Sequence, residues 1–147
     1  MFLLKAAIRR YLLIFGMGFL PFSTLRVWVL RLCGVNVGEG CYVGFNVSVD
    51  TNYPELITIG NRVTISHDVV IITHTATPAN SDLSRLYNEN KPVVIGDGAW
   101  LGVRSIVLPG ISIGQNCFVG AGSVVSTNTT NNSLWAGNPC ILKKSLE

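Results

Sequence analysis

Two histidines, His67 and His74, stand in this chain of 147 residues. Imidazole exchanges a proton near neutral pH, with an unperturbed pKa of about 6.5, so either ring can act as a general base. Neither belongs to a metal-ligand pattern. No cysteine or carboxylate stands at matching spacing, and Cys33, Cys41, Cys117 and Cys140 show no C-x-x-C pair. The thiols read as small buried groups of a reducing compartment. Asn46 and Asp50 are close in sequence to each other, and Lys143 and Lys144 form a pair of adjacent cations. The net charge of +3 favours an anionic ligand. Nucleic acid is not implied, because basic and aromatic residues are not interleaved in a patch.

The elements that position these groups follow from a repeat. Every sixth residue from Val37 is aliphatic: Val37, Val43, Val49. The series restarts at Ile59, Ile65, Ile71 and again at Ile95, Leu101, Val107, Ile113, Val119, Val125. Glycine follows the first aliphatic of each group of three, at Gly38, Gly60, Gly96 and Gly114, and never the last. The full period is therefore eighteen, made of three unequal hexads. Six residues make one short strand and a sharp turn. Glycine is expected at the turn because it reaches backbone conformations closed to other residues. Four residues after each aliphatic comes a mostly small or β-branched residue, such as Cys41, Val47, Val63, Ala99, Ser105 or Cys117, that also points inward. Three such faces close a triangle, and successive coils stack about 4.8 Å apart. The spacing predicts an all-β parallel β-helix of four to five coils over residues 34–147, with coils opening at Val37, Ile59, Ile95 and Ile113.

Two insertions break the period. Four residues, Asn52-Tyr53-Pro54-Glu55, interrupt the first, and eighteen fall between Thr77 and Val94. The longer one contains Pro78, Asn80, Ser81, Asn88 and Pro92 and reads as a protruding loop over 77–94. Residues 1–33 read as a helical segment that caps the coil stack. Within it, the uncharged run Tyr11–Leu25 contains Pro21 and is shorter than the roughly 20 residues of a membrane span. No A-x-A site follows, as a cleaved leader would need. A membrane-surface contact through residues 11–25 is the competing reading. Charged residues make up 13% of the chain, against roughly 25% for an average soluble domain, so much of the surface is expected to be covered by sister subunits or a membrane.

The stretch "IGDGAWLGVRSIVLPGISIGQNCFVGAGSVVS", followed by "WAGNPC", resembles the hexapeptide-repeat acyltransferases. The likeness runs from Gly34 to about Lys144. It is greatest toward the short O-acetyltransferases of capsule and lipopolysaccharide synthesis, whose N-termini read like "LRVWVLRLCGVNVG". The resemblance implies a left-handed β-helix, although crossover rules alone favour the right hand. It also implies a cytoplasmic homotrimer that binds acetyl-CoA between subunits and acetylates a sugar hydroxyl, with the acceptor a small molecule or a lipid-linked glycan.

The same resemblance assigns roles. One histidine, at the end of the coil before the long loop, acts as base. His74 closes that coil, but in relatives with a "T-H-T-H-D"-like end the base falls two residues later, where this chain has Ala76. Three readings stay open: His74 is the base, His67 is the base, or the base is absent and the chain is a weak enzyme or a scaffold. Asn46 matches an asparagine that holds the acceptor, and it also suits a left-handed turn. Asp50 is expected at the same rim, orienting a sugar hydroxyl or a histidine ring. For coenzyme A, Trp100 matches an aromatic beside the pantetheine groove, and Gly102 and Ala121 match positions whose small size admits pantetheine. Ser126 matches a hydroxyl position, while Thr127 replaces a common lysine. Lys143 and Lys144 are placed to meet the 3′-phosphate. A metal-dependent hydratase of the same fold would need three histidines around its metal, so no metal is expected.

Overall fold

A computed structural model describes residues 2–75 and 89–146. The long loop expected over 77–94 lies outside the described residues up to position 88, and so does Ala76. Two helices come first, α1 (Phe2–Phe19) and α2 (Ser23–Leu32). Pro21 separates them, because its ring cannot continue a helix. Gly16 lets them pack closely: a Cβ there would lie 3.3 Å from the Val29 side chain.

Strands follow in threes. The first coil has β1 (Asn36–Val37), β2 (Tyr42–Val43) and β3 (Ser48–Val49). The second has β4 (Ile57–Ile59), β5 (Thr64–Ile65) and β6 (Val70–Ile71). The third has β7 (Val93–Ile95), β8 (Trp100–Leu101) and β9 (Ile106–Val107). The fourth has β10 (Ser112–Ile113), β11 (Phe118–Val119) and β12 (Val124–Val125). A partial fifth layer holds β13 (Ser133–Ala136) and β14 (Ile141–Ser145). The first strands of the coils form one parallel sheet, the second strands another and the third strands a third. These are the first, second and third faces of a prism. Strand β14 pairs antiparallel to β13 and ends the second face.

All twelve hexad aliphatics are buried, and Ile113 stacks directly on Ile95. The inward residues four positions later are buried too, except Cys41, which is half-buried. The expected reason for the glycines is corrected by the backbone. Gly38, Gly60, Gly96 and Gly114 do not have positive φ. A Cβ on Gly38 would stand 2.6 Å from the Gly60 carbonyl oxygen of the next coil, so close stacking excludes a side chain there. The left-handed residues lie two places on. They are Gly40, Asn46, Arg62, Asp68, Gly98, Arg104, Gly110, Asn116 and Gly122, three after an inward aliphatic in nine hexads. The pattern fails in three hexads, at Asn52 and His74, where the two insertions begin, and at Asn128, where the last full coil ends.

The helices cover the first coil: α2 packs on β1 and β2, and α1 on β3. Arg26, in sequence no more than the end of an uncharged run, is fully buried. Its Nε donates to the Val43 carbonyl at 2.9 Å, another nitrogen donates to the Leu20 carbonyl, and the guanidinium lies 4.2 Å from the Phe45 ring centroid. The cation–π contact and the carbonyl bonds replace the water it has lost.

Candidate active site

The corner after the third face is where the repeat breaks twice. In the first coil Asp50 follows β3, and a short 3₁₀ turn (Pro54–Leu56) comes next. In the second coil Thr73 and His74 follow β6 and lead into the long segment 76–88. The residues that flank it are joined in antiparallel fashion. His74 bridges Asn90, the Lys91 N–H donates to the Thr73 carbonyl at 2.8 Å, and the Thr75 N–H to the Glu89 carbonyl at 3.3 Å.

Asp50 has its side chain fully buried and both oxygens in use. Oδ1 accepts from the Asn52 and Tyr53 N–H groups at 2.9 and 3.2 Å. Oδ2 accepts from the Thr73 N–H at 3.1 Å, from the Thr73 hydroxyl at 2.7 Å, and from His74 Nδ1. Burial alone would raise the Asp50 pKa. The hydrogen bonds from His74, Thr73 and Asn52 outweigh it and lower the value to about 2. The carboxylate is therefore ionised at neutral pH and fills its capacity with protein donors. Of the two expectations for Asp50, the structure has the histidine ring.

A chain of single-role groups sets the tautomer of His74. Arg10, on α1, donates to Asn52 Oδ1. A guanidinium can only donate, so it turns the oxygen of the amide toward itself and the nitrogen away. Asn52 Nδ2 then faces His74 Nε2 at 3.2 Å. That amide nitrogen can only donate and the Asp50 carboxylate can only accept, so the ring carries its proton on Nδ1 and its lone pair on Nε2. The Tyr53 ring meets the imidazole edge-on at 5.5 Å. Arg9 donates to the Asn52 carbonyl at 3.0 Å and the Thr51 carbonyl at 3.4 Å, holding the inserted segment against α1. An imidazole arranged this way accepts a proton at Nε2 while a buried anion steadies the resulting cation.

His67 sits elsewhere, at the corner between the second and third faces. Its Nδ1 accepts the Phe45 N–H at 3.0 Å and its ring stacks on Phe45. Asn46 is at the same corner one coil away, exposed, with φ of 55°. Asn46, Asp68, Arg104 and Gly122 form one left-handed column there, which suits the turn reading of Asn46. Gly102 and Ala121 stack at this corner too. A Cβ on Gly102 would stand 2.6 Å from the Ala121 nitrogen, so coil stacking requires that glycine. Trp100 lies half-exposed on the second face, its ring 4.6 Å from that of Phe118 and its Nε1 donating to Ser66 Oγ at 3.1 Å. Lys144 pairs with Leu134, on the rung shared by Phe118 and Trp100, and Lys143 precedes it on β14. Ser126 follows β12 at the broken corner, two coils beyond His74.

The structure thus brings Asp50 and His74 into contact, and it places Asn46, Trp100, Gly102, Ala121 and Lys144 around a different corner and face. The third face separates the two groups by about 13 Å, four residues of extended chain between Asn46 and Asp50. Sequence reasoning missed Arg9, Arg10, Asn52, Tyr53 and Thr73. The four-residue insertion marked the place of two of them, but nothing in the sequence said that α1 would reach it.

Residues 92–127 match a family model described as the hexapeptide repeat of succinyl-transferase. Over 126 residues the chain is 37% identical to a putative acetyltransferase of Staphylococcus aureus, covering 85% of this chain and 74% of that protein. The chain belongs to the hexapeptide-repeat acyltransferase family. It carries that family's left-handed parallel β-helix. It is also 39% identical over 115 residues to a galactoside O-acetyltransferase of Lactococcus lactis, covering 76% of this chain and 53% of that one. It therefore spans about half the length of that relative. A solved maltose O-acetyltransferase from Clostridium difficile superposes with a TM-score of 0.72 at 29% identity, covering 98% of this chain and 89% of that one.

Proposed function

We propose that this hexapeptide-repeat acyltransferase moves an acetyl group from acetyl-CoA to a sugar hydroxyl, with His74 as the base. The observation that carries the reading is the Asp50–His74 pair, which leaves an Nε2 lone pair at the mouth of the long excursion. The acceptor hydroxyl takes the place of the Asn52 amide at Nε2. As its oxygen attacks the thioester carbonyl, its proton passes to Nε2. The C–S bond breaks, and the departing sulfur recovers that proton from the imidazolium. Asp50 stays ionised and holds Nδ1–H throughout.

The separation of the two residue groups favours a homotrimer. In it, the corner of His74 and Ser126 on one chain faces the corner of Asn46, Gly102 and Ala121 on the next. Acetyl-CoA then lies between them, its pantetheine along the small residues beside Trp100 and its 3′-phosphate near Lys143 and Lys144. The four cysteines are free thiols, in keeping with a cytoplasmic enzyme of surface polysaccharide synthesis. Acetyl transfer from acetyl-CoA to a panel of free sugars, nucleotide sugars and lipid-linked glycans tests the reading. Transfer that survives unchanged in His74→Ala removes His74 as base. Absence of coenzyme A binding leaves a scaffold.

A further inference from the structure

We infer that the acceptor is a sugar acid, whose carboxylate Arg10 holds beside the hydroxyl that is acetylated. The inference rests on the acetyl-transfer reading of His74. On that reading the hydroxyl displaces the Asn52 amide, because Nε2 has one lone pair and Asn52 Nδ2 faces it at 3.2 Å. The same amide is bonded at its other end, where Oδ1 accepts from Arg10. Displacement therefore opens two positions at once, an acceptor at Nε2 and a donor at Arg10. The amide shows what fills them. It turns a donor to the imidazole and an oxygen to the guanidinium, about 2.2 Å apart across one carbon. A hydroxyl with a carboxylate on the neighbouring carbon presents the same pair, within about an ångström of that span. The 4-hydroxyl and the carboxylate of a hexuronic acid are related in this way. The backbone allows the exchange. The Asn52 N–H stays on Asp50 at 2.9 Å and Arg9 holds the Asn52 carbonyl at 3.0 Å, so only the side chain has to turn away.

Charge decides between a carboxylate and a neutral oxygen. The other ionic groups of this corner satisfy one another. Arg9 lies 3.9 Å from Glu55, Lys91 pairs with Glu89, and Asp50 is bonded to Thr73 and His74. Arg10 is exposed, and among the described residues its partner is a neutral amide and no carboxylate. A neutral sugar hydroxyl would exchange one neutral oxygen for another at this guanidinium. A carboxylate makes a charge-assisted bond, about twice as strong, and fits the planar fork with both oxygens. The carboxylate takes no part in the transfer itself. The hydroxyl proton still passes to Nε2 and then to the departing sulfur.

The test compares the methyl glycosides of galacturonic and glucuronic acid with their methyl esters, which keep the shape and lose the charge. Saturation-transfer NMR titrations of the full chain with coenzyme A read affinity, and acetyl transfer reads turnover. The better uronoside should bind about tenfold or more tightly than its ester, and in transfer the difference should lie in KM and not in kcat. Arg10→Ala should remove that preference, and Arg10→Lys, which keeps the charge, should lose less of it. Asn52→Ala should act in the opposite direction and tighten uronoside binding severalfold, since no amide then has to be displaced. A purely structural role would weaken acid and ester alike in both variants. Equal affinity for acid and ester in the parent overturns the proposal, and so does a preference that survives Arg10→Ala. Binding that weakens in Asn52→Ala overturns it too. The two readings fail separately. Arg10-dependent binding of the uronoside without acetyl transfer would support the anion site and remove the transfer reading. Transfer that does not distinguish acid from ester would keep the transfer reading and overturn the anion site.

Discussion

The two corners that carry histidines are built from the same hexads and differ in almost everything else. Between the second and third faces the turn repeats through all four coils, with Asn46, Asp68, Arg104 and Gly122 in the same left-handed conformation. His67 belongs to that corner, and one of its ring nitrogens is committed to a backbone N–H. After the third face the left-handed turn survives at Gly110, is absent at Asn128, and is replaced by inserted chain in the first two coils. There Asn52 and Tyr53 of the insertion, with Thr73 and His74 after β6, hold a carboxylate and leave one imidazole nitrogen facing a replaceable amide. A periodic stack stabilises itself coil by coil and has little room for reactive side chains. Departure from the period is what makes room for a buried ionised group and places beside it a ring nitrogen whose only partner is an exchangeable amide among the described residues.

The largest expected effect tests the periodic side of this contrast. Ile113→Asp puts an unpaired carboxylate against Ile95, at a cost of several kcal/mol. The variant should be insoluble on expression. Soluble protein with a normal melting transition would mean that the stacking register is wrong.

The next test breaks the contrast at the histidines. His74→Ala should lower turnover by about 10²–10⁴-fold with little change in coenzyme A affinity, the usual contribution of a general base. His67→Ala should leave turnover within a few fold of the parent. Ala76→His sharpens it: a gain in activity would point to a lost base at position 76, and no gain fits His74 already in that role.

Acid unfolding reads the buried carboxylate alone. The Asp50 pKa lies below its ordinary value of 3.8, at about 2 in the folded chain. A lowered pKa stabilises the fold above the ordinary value, and the gain is lost as pH falls through the folded one. Asp50 should therefore add about 2 kcal/mol at pH 5 and above that disappears between about pH 4 and pH 2. Denaturant midpoints of the parent should fall steeply over that window, and those of Asp50→Asn should fall less. Equal slopes would mean that Asp50 is not held as an ion.

The smallest effect concerns the regular second face. Lys143→Ala with Lys144→Ala should weaken coenzyme A binding by about 1–3 kcal/mol, the range for hydrogen bonds to charged groups. Calorimetry with dephospho-coenzyme A should show almost no loss. Equal losses for both ligands would place these lysines away from the 3′-phosphate.

The repeat was legible because burial imposes a period. Every inward aliphatic from Val37 to Val125 is where the spacing put it, and Ile113 rests on Ile95 as expected. The role of the glycines was read wrongly, because a residue type does not tell whether its missing side chain serves a dihedral or a neighbour. Gly38 serves a neighbour, and Arg62 and Arg104 show that the left-handed turn does not require glycine. The position of His74 before the excursion was legible, and so was the gap at Asn52. The bond from Arg10 to Asn52 spans 42 residues and depends on how α1 lies on the first coil, which no local pattern encodes.

A stack of parallel coils has no intrinsic length, since each coil exposes the strand edges that would template the next. Unfinished ends of this kind invite chains to join end to end into fibres. Strand β14 answers this by running the other way. A further coil arriving at the second face would have to pair antiparallel to β14 while the other two faces continue in parallel. At the opposite end α1 and α2 lie over the first coil. The reversal of a single strand thus breaks, on one face, the all-parallel template that each coil otherwise offers the next.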